Sequence, residues 1–137
     1  NFGTWFREYR PIYTPLEAGM DRAMKFDHDF IGRAAVEAEM KTGPARKLVM
    51  FKVDVDKDRP ADVIGDEPVF HNGEVVGWIT SGGYAHYSGV SLAMGYIPAE
   101  LANDKTTGFE IEIIGNMRPA TLQLEPVLDP SGSRMRA

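Results

Sequence analysis

The sequence predicts a mainly β protein that begins with a short helical segment, and three observations predict it. The hydrophobic pattern changes from a helical period to a strand period of two at Gly43-Pro44. After that point, roughly six short strand-like runs follow one another at regular spacing. Two pairs of these runs are joined by the turn dipeptides Asn72-Gly73 and Gly115-Asn116. This pattern is typical of a β-sandwich or a small closed barrel.

The N-terminal part contains two patterns that begin helices. The TPLE motif at residues 14–17 is a capping box with proline at the first helical position, and Gly19 limits this helix to a turn or two. The glutamate of this motif needs no catalytic explanation, because the capping box accounts for it. A longer helix is predicted over residues 30–42, since Asp29 caps its free amides and a Gly-Pro pair ends it.

The strands are predicted where apolar residues recur with a period of two between turns. In the first of them Val49, Phe51, Val53 and Val55 face one way, which gives one strongly apolar face. The predicted strands are residues 47–55, 69–71, 74–80, 92–97, 109–114 and 119–124.

Residues 82–91 form the most unusual predicted loop. Gly82 and Gly83 permit close approach of another backbone, while Tyr84 and Tyr87 offer ring faces and hydroxyl groups. One interpretation is a loop at a ligand or domain interface. The other is a connection that plugs the end of a barrel with aromatic side chains.

The composition excludes several classes of function. The 137-residue chain has 15 Lys and Arg against 20 Asp and Glu, and its net charge of −5 argues against a nucleic-acid partner. The absence of cysteine excludes disulfides, thiolate metal sites and a cysteine nucleophile. No apolar run approaches the roughly 20 residues of a membrane helix, so we expect no membrane partner. His28, His71 and His86 lack metal-site spacing, and we predict neither a metal site nor a catalytic residue.

Residues 1–13 are rich in aromatic and basic side chains and follow neither a helical nor a strand period. One interpretation is a wall of a pocket for a flat anionic ligand, because arginines pair with carboxylates and aromatic rings stack. The other is a strand that has lost the neighbours that covered it, and that is poorly ordered or packed against another molecule. Because the chain begins at Asn1 and not at Met, we expect it to be part of a longer protein.

Five motifs follow one another along nearly the whole chain. They are TPLEAGM at 14–20, DFIGR at 29–33, the segment from PVF at 68–70 to glycine 77, SGGY at 81–84 and SGVSLAMGYI at 88–97. Each motif is weak alone, but their order resembles that of the glycine-cleavage T-protein (aminomethyltransferase) superfamily. Within it, NFGTW at 1–5 and LDPSG at 128–132 are more similar to the C-terminal part of the dimethylglycine and sarcosine dehydrogenases.

This resemblance implies a mainly β fold, with a six-stranded distorted barrel or jelly roll after a short α-helical N-terminal appendage. The implied boundaries are 1–44 for the tail of a folate-binding domain, 45–128 for the barrel domain and 129–137 for a polar tail. The resemblance implies a parent enzyme that oxidises dimethylglycine or sarcosine with FAD and passes the one-carbon unit to tetrahydrofolate. The barrel would close one side of the folate channel.

The resemblance also implies what this chain lacks. The FAD-binding half and the acid that assists the folate chemistry belong to other domains of the same polypeptide, which are the expected partners together with folate itself. We therefore expect the fragment alone to be inactive and to bind no cofactor. The implied location is the bacterial cytoplasm or, in a eukaryote, the mitochondrial matrix, and we favour the cytoplasm.

Three residues are the candidates for folate contact. Trp5 belongs to the aromatic and basic segment. Arg33, at the predicted helix start, reaches either a folate carboxylate or only a nearby backbone. Tyr84 either points from the barrel toward the folate-binding part of the parent or packs inside the barrel.

Two alternative functions stay open at this point. The chain is a stand-alone binding or interaction barrel without catalysis, or it belongs to a plain aminomethyltransferase of the glycine cleavage system. The latter would work with a lipoyl carrier protein and no flavin. The Trp5 region and residues 129–132 favour the dehydrogenase over the plain aminomethyltransferase.

Overall fold

A computed structural model describes residues 3–56, 58, 60–134 and 136 of the chain. The first two residues of the NFGTW motif and positions 135 and 137 of the predicted tail lie outside the described residues, as do positions 57 and 59. Within the described ranges the structure has one α-helix, two 3-10 turns and six strands. They are the turns Asp21–Ala23 and Ala99–Leu101, helix α1 Arg33–Thr42, and strands β1 Arg46–Val53, β2 Pro68–His71, β3 Glu74–Ala85, β4 Val90–Pro98, β5 Phe109–Ile113 and β6 Asn116–Gln123.

The described strands close into one antiparallel barrel in the order β1-β4-β3-β2-β5-β6. Strand β1 pairs with β4 on one side and with β6 on the other, which closes the ring. The predicted fold class, a mainly β six-stranded barrel with a short helical appendage, is confirmed.

Alternate residues of the strands fill the barrel interior. The rings of Phe51 and Phe109 meet edge to face with their centroids 5.1 Å apart, and isoleucines of three strands are fully buried around them. Val63, from the connection between β1 and β2, also packs into this core. Asp62 of the same connection accepts a hydrogen bond from the buried Ser91 hydroxyl at 2.7 Å. The part of this connection around Asp62 and Val63 is therefore packed against the barrel.

Helix α1 starts three residues later than predicted. Gly32 lies before it with φ of 91°, a left-handed conformation that glycine adopts readily. The Asp29 carboxylate accepts the amide of the adjacent Phe30 at 3.0 Å and caps no helix amide in the structure. The predicted end at Thr42 is confirmed.

The capping box forms although only a short turn follows it. The Thr14 amide donates to the Glu17 carboxylate at 3.1 Å, and the Glu17 amide donates to the Thr14 hydroxyl at 3.1 Å. Gly19, with φ of 68°, ends the turn. The interpretation of Glu17 as a capping residue is confirmed.

Both hairpins exist, but one turn is displaced. Asn72 and Gly73 have φ of 53° and 83°, the two positive values that a type I′ turn requires. In the second hairpin the positive φ values fall on Ile114 and Gly115, at 49° and 72°. The predicted turn at Gly115-Asn116 is therefore one residue too late, because Asn116 already belongs to β6.

The prediction of a loop over residues 82–91 is wrong for most of that segment. Strand β3 continues to Ala85 and β4 begins at Val90, so only residues 86–89 form the turn. Gly82 serves close packing and not chain reversal. A Cβ atom there would collide with Val63 and would lie 2.7 Å from the Leu92 carbonyl oxygen.

Candidate ligand-binding site

The N-terminal segment folds into a tight turn on the outside of the barrel. The Thr4 carbonyl accepts the amides of Arg7, Glu8 and Tyr9 at 3.3, 3.0 and 3.0 Å. The Glu8 carboxylate turns back to accept the Thr4 amide at 2.6 Å and the Thr4 hydroxyl at 2.9 Å. The prediction of a strand without neighbours is therefore wrong for the described residues of this segment.

A cluster of aromatic rings attaches this segment to the barrel. The ring of Tyr13 stacks on Tyr96 of β4 with centroids 3.8 Å apart and lies 6.3 Å from Trp78 of β3. The Trp78 indole N–H donates to the Tyr13 hydroxyl at 3.1 Å. The Arg46 guanidinium lies 5.5 Å from the centre of the Trp78 ring, and Glu17 holds that guanidinium at 3.0 Å. The outer face of β1, β3 and β4 therefore carries a fixed aromatic platform.

A β-bulge in β3 provides a second attachment. The register between β3 and β4 shifts between Ile79 and Ser81, at Thr80. The Thr80 carbonyl accepts the Arg7 guanidinium at 3.0 Å, and the Thr80 hydroxyl donates to the Met94 carbonyl at 3.1 Å. Bulges re-aim backbone groups in this way. The nearby Gly65 leaves the space for the guanidinium, because a Cβ atom there would collide with it.

A cavity of about 280 Å³ lies between the N-terminal segment and β3. It is lined by Phe6, Arg7, Arg10, Tyr13, Asp66, Trp78 and Thr80. Among the described residues, neither of its two arginines forms a salt bridge, and the exposed Asp66 pairs with neither. The cavity therefore combines aromatic surface with two guanidinium groups that are available to an anion.

Two buried polar side chains, Tyr96 and Glu8, hold the N-terminal segment that lines part of the cavity. Tyr96 is fully buried, and its hydroxyl donates to the Glu8 carbonyl at 2.7 Å. Burial, with smaller contributions from Tyr13 and the Glu17 and Glu8 carboxylates, raises the pKa of Tyr96 far above its usual value. The Tyr96 hydroxyl therefore keeps its proton, and with it the hydrogen bond that holds the N-terminal turn to β4.

The Glu8 carboxyl is also fully buried. Burial raises its pKa, but the hydroxyls of Thr80, Ser81 and Thr4 and the Thr4 amide outweigh burial and hold the pKa below its usual value. The Thr80 and Ser81 hydroxyls lie near the carboxylate, but Glu8 Oε1 accepts no well-formed hydrogen bond in the described part of the chain. Glu8 is thus a buried, ionised carboxylate with one unsatisfied oxygen.

None of the three predicted contact residues is among the residues that line this cavity. Trp5 is 79% exposed and packs only edge to face against Phe6, with centroids 5.8 Å apart. Arg33 pairs with Glu37 at 2.8 Å and donates to the His28 carbonyl at 2.9 Å, so its guanidinium is engaged locally. Tyr84 is 41% exposed near the end of β3 and contacts the His86 ring at 5.1 Å. Folate contact by these three side chains stays a prediction.

Sequence reasoning found part of the cavity and missed the rest. Arg7, Arg10 and Tyr13 belong to the segment that was interpreted as a pocket wall. Trp78 and Thr80 were missed, because the bulge at Thr80 and the contact of its carbonyl with Arg7 depend on how β3 pairs with β4 and on the fold of the N-terminal segment. Asp66 has no sequence signal, because its position depends on the fold of the connection between β1 and β2.

The described residues contain no group of three or more His, Asp or Glu side chains that is suited to hold a metal ion. In the same part of the chain, no helix is both long enough and apolar enough to cross a membrane.

Comparisons with known proteins agree with this architecture. Residues 46–129 match the family described as the glycine cleavage T-protein C-terminal barrel domain. The chain is 34% identical over 139 residues to the mitochondrial dimethylglycine dehydrogenase of Mus musculus, covering 98% of this chain and 16% of that protein. It is 34% identical over 117 residues to a probable aminomethyltransferase of Pyrococcus horikoshii, covering 85% of this chain and 28% of that protein. The chain thus spans less than a third of these relatives.

A solved structure shares the fold. The aminomethyltransferase T of the glycine cleavage system from Bartonella henselae superposes with a TM-score of 0.76 and 24% sequence identity, covering 88% of this chain and 33% of that chain. The family match covers more than half of the chain, and the barrel closes as that description requires. The chain therefore belongs to the glycine cleavage T-protein C-terminal barrel domain family.

Proposed function

We propose that this chain is the C-terminal part of a folate-dependent one-carbon-transfer enzyme, in which the barrel and the N-terminal segment line one side of the folate channel. The observation that carries the proposal is the cavity on a T-protein-type barrel, with two unpaired arginines beside Tyr13 and Trp78. Aromatic rings and guanidinium groups together suit a flat ligand that carries carboxylates. Tetrahydrofolate has both features, so the residues present fit it.

The parent enzyme is, on this proposal, an FAD-linked oxidoreductase similar to the dimethylglycine and sarcosine dehydrogenases. The alignment with mouse dimethylglycine dehydrogenase takes in 98% of the chain. Alignments with aminomethyltransferases of Pyrococcus horikoshii and a Synechococcus strain take in 85% and 82%. The resemblance to the dehydrogenase thus extends over residues that the aminomethyltransferase alignments leave out, which supports the oxidoreductase.

In this proposal the residues of this chain bind and orient the folate. The oxidation of the amine takes place on other domains of the same polypeptide. Tetrahydrofolate, when bound, supplies the nitrogen atoms that capture the one-carbon unit. Arg7 and Arg10 hold negative charge on the ligand, while the stacked Tyr13 and Tyr96 keep water out of the wall behind them. Tyr84, exposed at the end of β3, offers a hydroxyl to the channel. The proposed location is the bacterial cytoplasm or the mitochondrial matrix.

Folate binding by the full-length enzyme tests the proposal. We expect 5-formyltetrahydrofolate, a stable reduced folate, to bind saturably and to change the tryptophan fluorescence. Because Trp78 lines the cavity and Trp5 does not, Trp78→Phe should remove much of this signal while Trp5→Phe leaves most of it. An enzyme that binds no reduced folate would contradict the proposal and would favour a stand-alone interaction barrel.

A further inference from the structure

We propose that the cavity between the N-terminal segment and β3 binds the carboxylate arm of the ligand and not its ring system, and that Arg10 determines this specificity. The inference rests on the proposed function, since it takes a reduced folate as the ligand. It assigns one end of that ligand to one place on this chain.

The size of the cavity supports binding of only a part of such a ligand. Sites that enclose a whole drug-sized molecule have volumes of roughly 300–1,000 Å³. The cavity here has about 280 Å³. This volume lies just below that range, so the cavity suits an arm of the ligand better than the whole molecule.

The charges of the lining favour an anionic arm. The lining contains two arginines and one aspartate, so it has a net positive charge. This is a local reversal, because the chain as a whole carries a net charge of −5. A carboxylate gains charge-assisted hydrogen bonds from guanidinium groups, whereas a neutral ring does not.

The two arginine side chains differ in how firmly they are held before a ligand binds. The Arg7 guanidinium is fixed by the Thr80 carbonyl at 3.0 Å, and a guanidinium has further N–H donors that this one bond does not use. Arg10 is exposed, and its guanidinium makes no hydrogen bond or salt bridge among the described residues, although its backbone carbonyl accepts the Tyr13 amide at 3.0 Å. Arg7 is therefore preorganised for an anion, while Arg10 is free to close over it.

Two of the three aromatic rings in the cavity lining, Tyr13 and Trp78, already contact other protein groups. Tyr13 is stacked on Tyr96 at 3.8 Å, and the Arg46 guanidinium lies over Trp78 at 5.5 Å. The Tyr13 hydroxyl accepts the indole N–H, so its own proton is available to a carboxylate oxygen. The lining thus offers the exposed Phe6 ring together with polar groups, of which the guanidinium groups and the Tyr13 hydroxyl suit a carboxylate.

Three probes separate the arm from the ring in the full-length enzyme. They are 5-formyltetrahydrofolate, 6-methyltetrahydropterin, which has the reduced ring without a carboxylate, and p-aminobenzoylglutamate, which has the carboxylates without the reduced ring. Each Kd is measured for the wild type, Arg10→Ala and Arg10→Lys. Arg22→Ala is the matched control, because Arg22 is also exposed but lies in the turn Asp21–Ala23, outside the cavity.

We expect Arg10→Ala to weaken 5-formyltetrahydrofolate and p-aminobenzoylglutamate by about tenfold, the effect of one charge-assisted hydrogen bond. Binding of 6-methyltetrahydropterin should not change, Arg10→Lys should recover part of the loss, and the loss should shrink at high salt. Equal weakening of all three probes, or no weakening of any, would overturn the inference while leaving the proposed function intact. A wild-type enzyme that binds no probe would overturn the proposed function and this inference together.

Discussion

Glu8 is a buried carboxylate whose hydrogen bonding is incomplete, which is locally unfavourable. One oxygen of its carboxylate has two donors from Thr4, and the other has none among the described residues. A buried polar atom without a partner costs free energy. Another hydrogen bond of the same residue offsets this cost, because the Glu8 backbone carbonyl accepts the Tyr96 hydroxyl. We infer that Glu8 fixes the N-terminal turn beside Arg7 and the cavity.

The lowered pKa of Glu8 predicts the sign of a pH effect on stability. A carboxyl whose pKa is lower in the folded than in the unfolded state stabilises the fold at pH values above the unfolded pKa, about 4.3 for glutamate. That contribution is lost as the pH falls through the folded-state pKa. The free energy of unfolding of the wild type should therefore approach that of Glu8→Gln as the medium becomes acidic.

Urea unfolding at a series of pH values measures this difference. Glu74→Gln is the control, because Glu74 is an exposed glutamate at the start of β3 and should give no comparable trend. A difference between wild type and Glu8→Gln that stays constant down to pH 2 would show that Glu8 is not held as a buried carboxylate.

Substitution of Tyr84 tests a second single-residue prediction, that its hydroxyl contributes to folate binding. Its side chain is 41% exposed, so the interpretation that it plugs the barrel is wrong, and the channel interpretation stays a prediction. Tyr84→Phe in the full-length enzyme should weaken folate binding by about 0.5–1.5 kcal/mol, the net contribution of one hydrogen bond, with little change in Tm.

Tyr87→Phe provides the comparison, since Tyr87 lies in the adjacent turn and its hydroxyl accepts Arg134 of the tail at 3.1 Å. This variant should leave folate affinity unchanged. If Tyr84→Phe binds folate as tightly as the wild type, Tyr84 does not contribute a hydroxyl to the channel.

Several glycines in β3 and β4 serve close packing between strands and do not mark turns. Glycine in a sequence indicates either a turn or a close approach between backbones. Gly77, Gly82 and Gly95 belong to the second class, because a Cβ atom at each would collide with the neighbouring strand or with Val63. Nothing local distinguishes the two classes, so the end of β3 was predicted as loop.

Gly82→Ala tests this explanation at the level of the hairpin. The added methyl group would meet Val63 and the Leu92 carbonyl, and overpacking of this kind typically costs about 1–3 kcal/mol. Lys52→Ala, an exposed change in β1, should have a much smaller effect. Urea unfolding of both variants measures the difference. Equal stability of Gly82→Ala and wild type would mean that residues 82–85 form a loose loop after all.

Elements that local chemistry determines were predicted well. The capping box and the Asn72-Gly73 turn depend on residues a few positions apart, and both are confirmed. The alternation predicted for β1 holds at Phe51 and Val53, but Met50 is buried as well and Val55 is exposed beyond the end of the strand. The start of α1 was misplaced, because the left-handed Gly32 separates Asp29 from the helix. The second turn was misplaced, because Ile114 adopts a left-handed conformation that isoleucine rarely takes.

At the scale of the whole molecule, the candidate site depends on contacts between distant segments. Arg7 meets Thr80, 73 positions away along the chain, and Tyr13 meets Trp78, 65 positions away. A wall of a pocket for a flat anionic ligand is one of the two interpretations that the composition of residues 1–13 allows, and only the closed barrel shows which side chains face the cavity. The exposed Trp5, Phe6 and Ile12 remain on the surface of that segment.

The chain spans 16% of the mouse dimethylglycine dehydrogenase and 28% of the Pyrococcus horikoshii protein that it resembles. On our proposal, the oxidation of the amine takes place on the rest of the polypeptide. This chain contributes residues that line one side of the folate channel. The chain alone should therefore not turn over substrate, because it offers no proposed site for the oxidation.

Formation of 5,10-methylenetetrahydrofolate from dimethylglycine tests this account most directly. The measurement uses tetrahydrofolate and an artificial electron acceptor, with the full-length enzyme and the 137-residue chain assayed side by side. We predict that the full-length enzyme forms the product and that the chain alone gives no more than the control without protein. Turnover by the chain alone, or a full-length enzyme that forms no 5,10-methylenetetrahydrofolate from either dimethylglycine or sarcosine, would contradict the account.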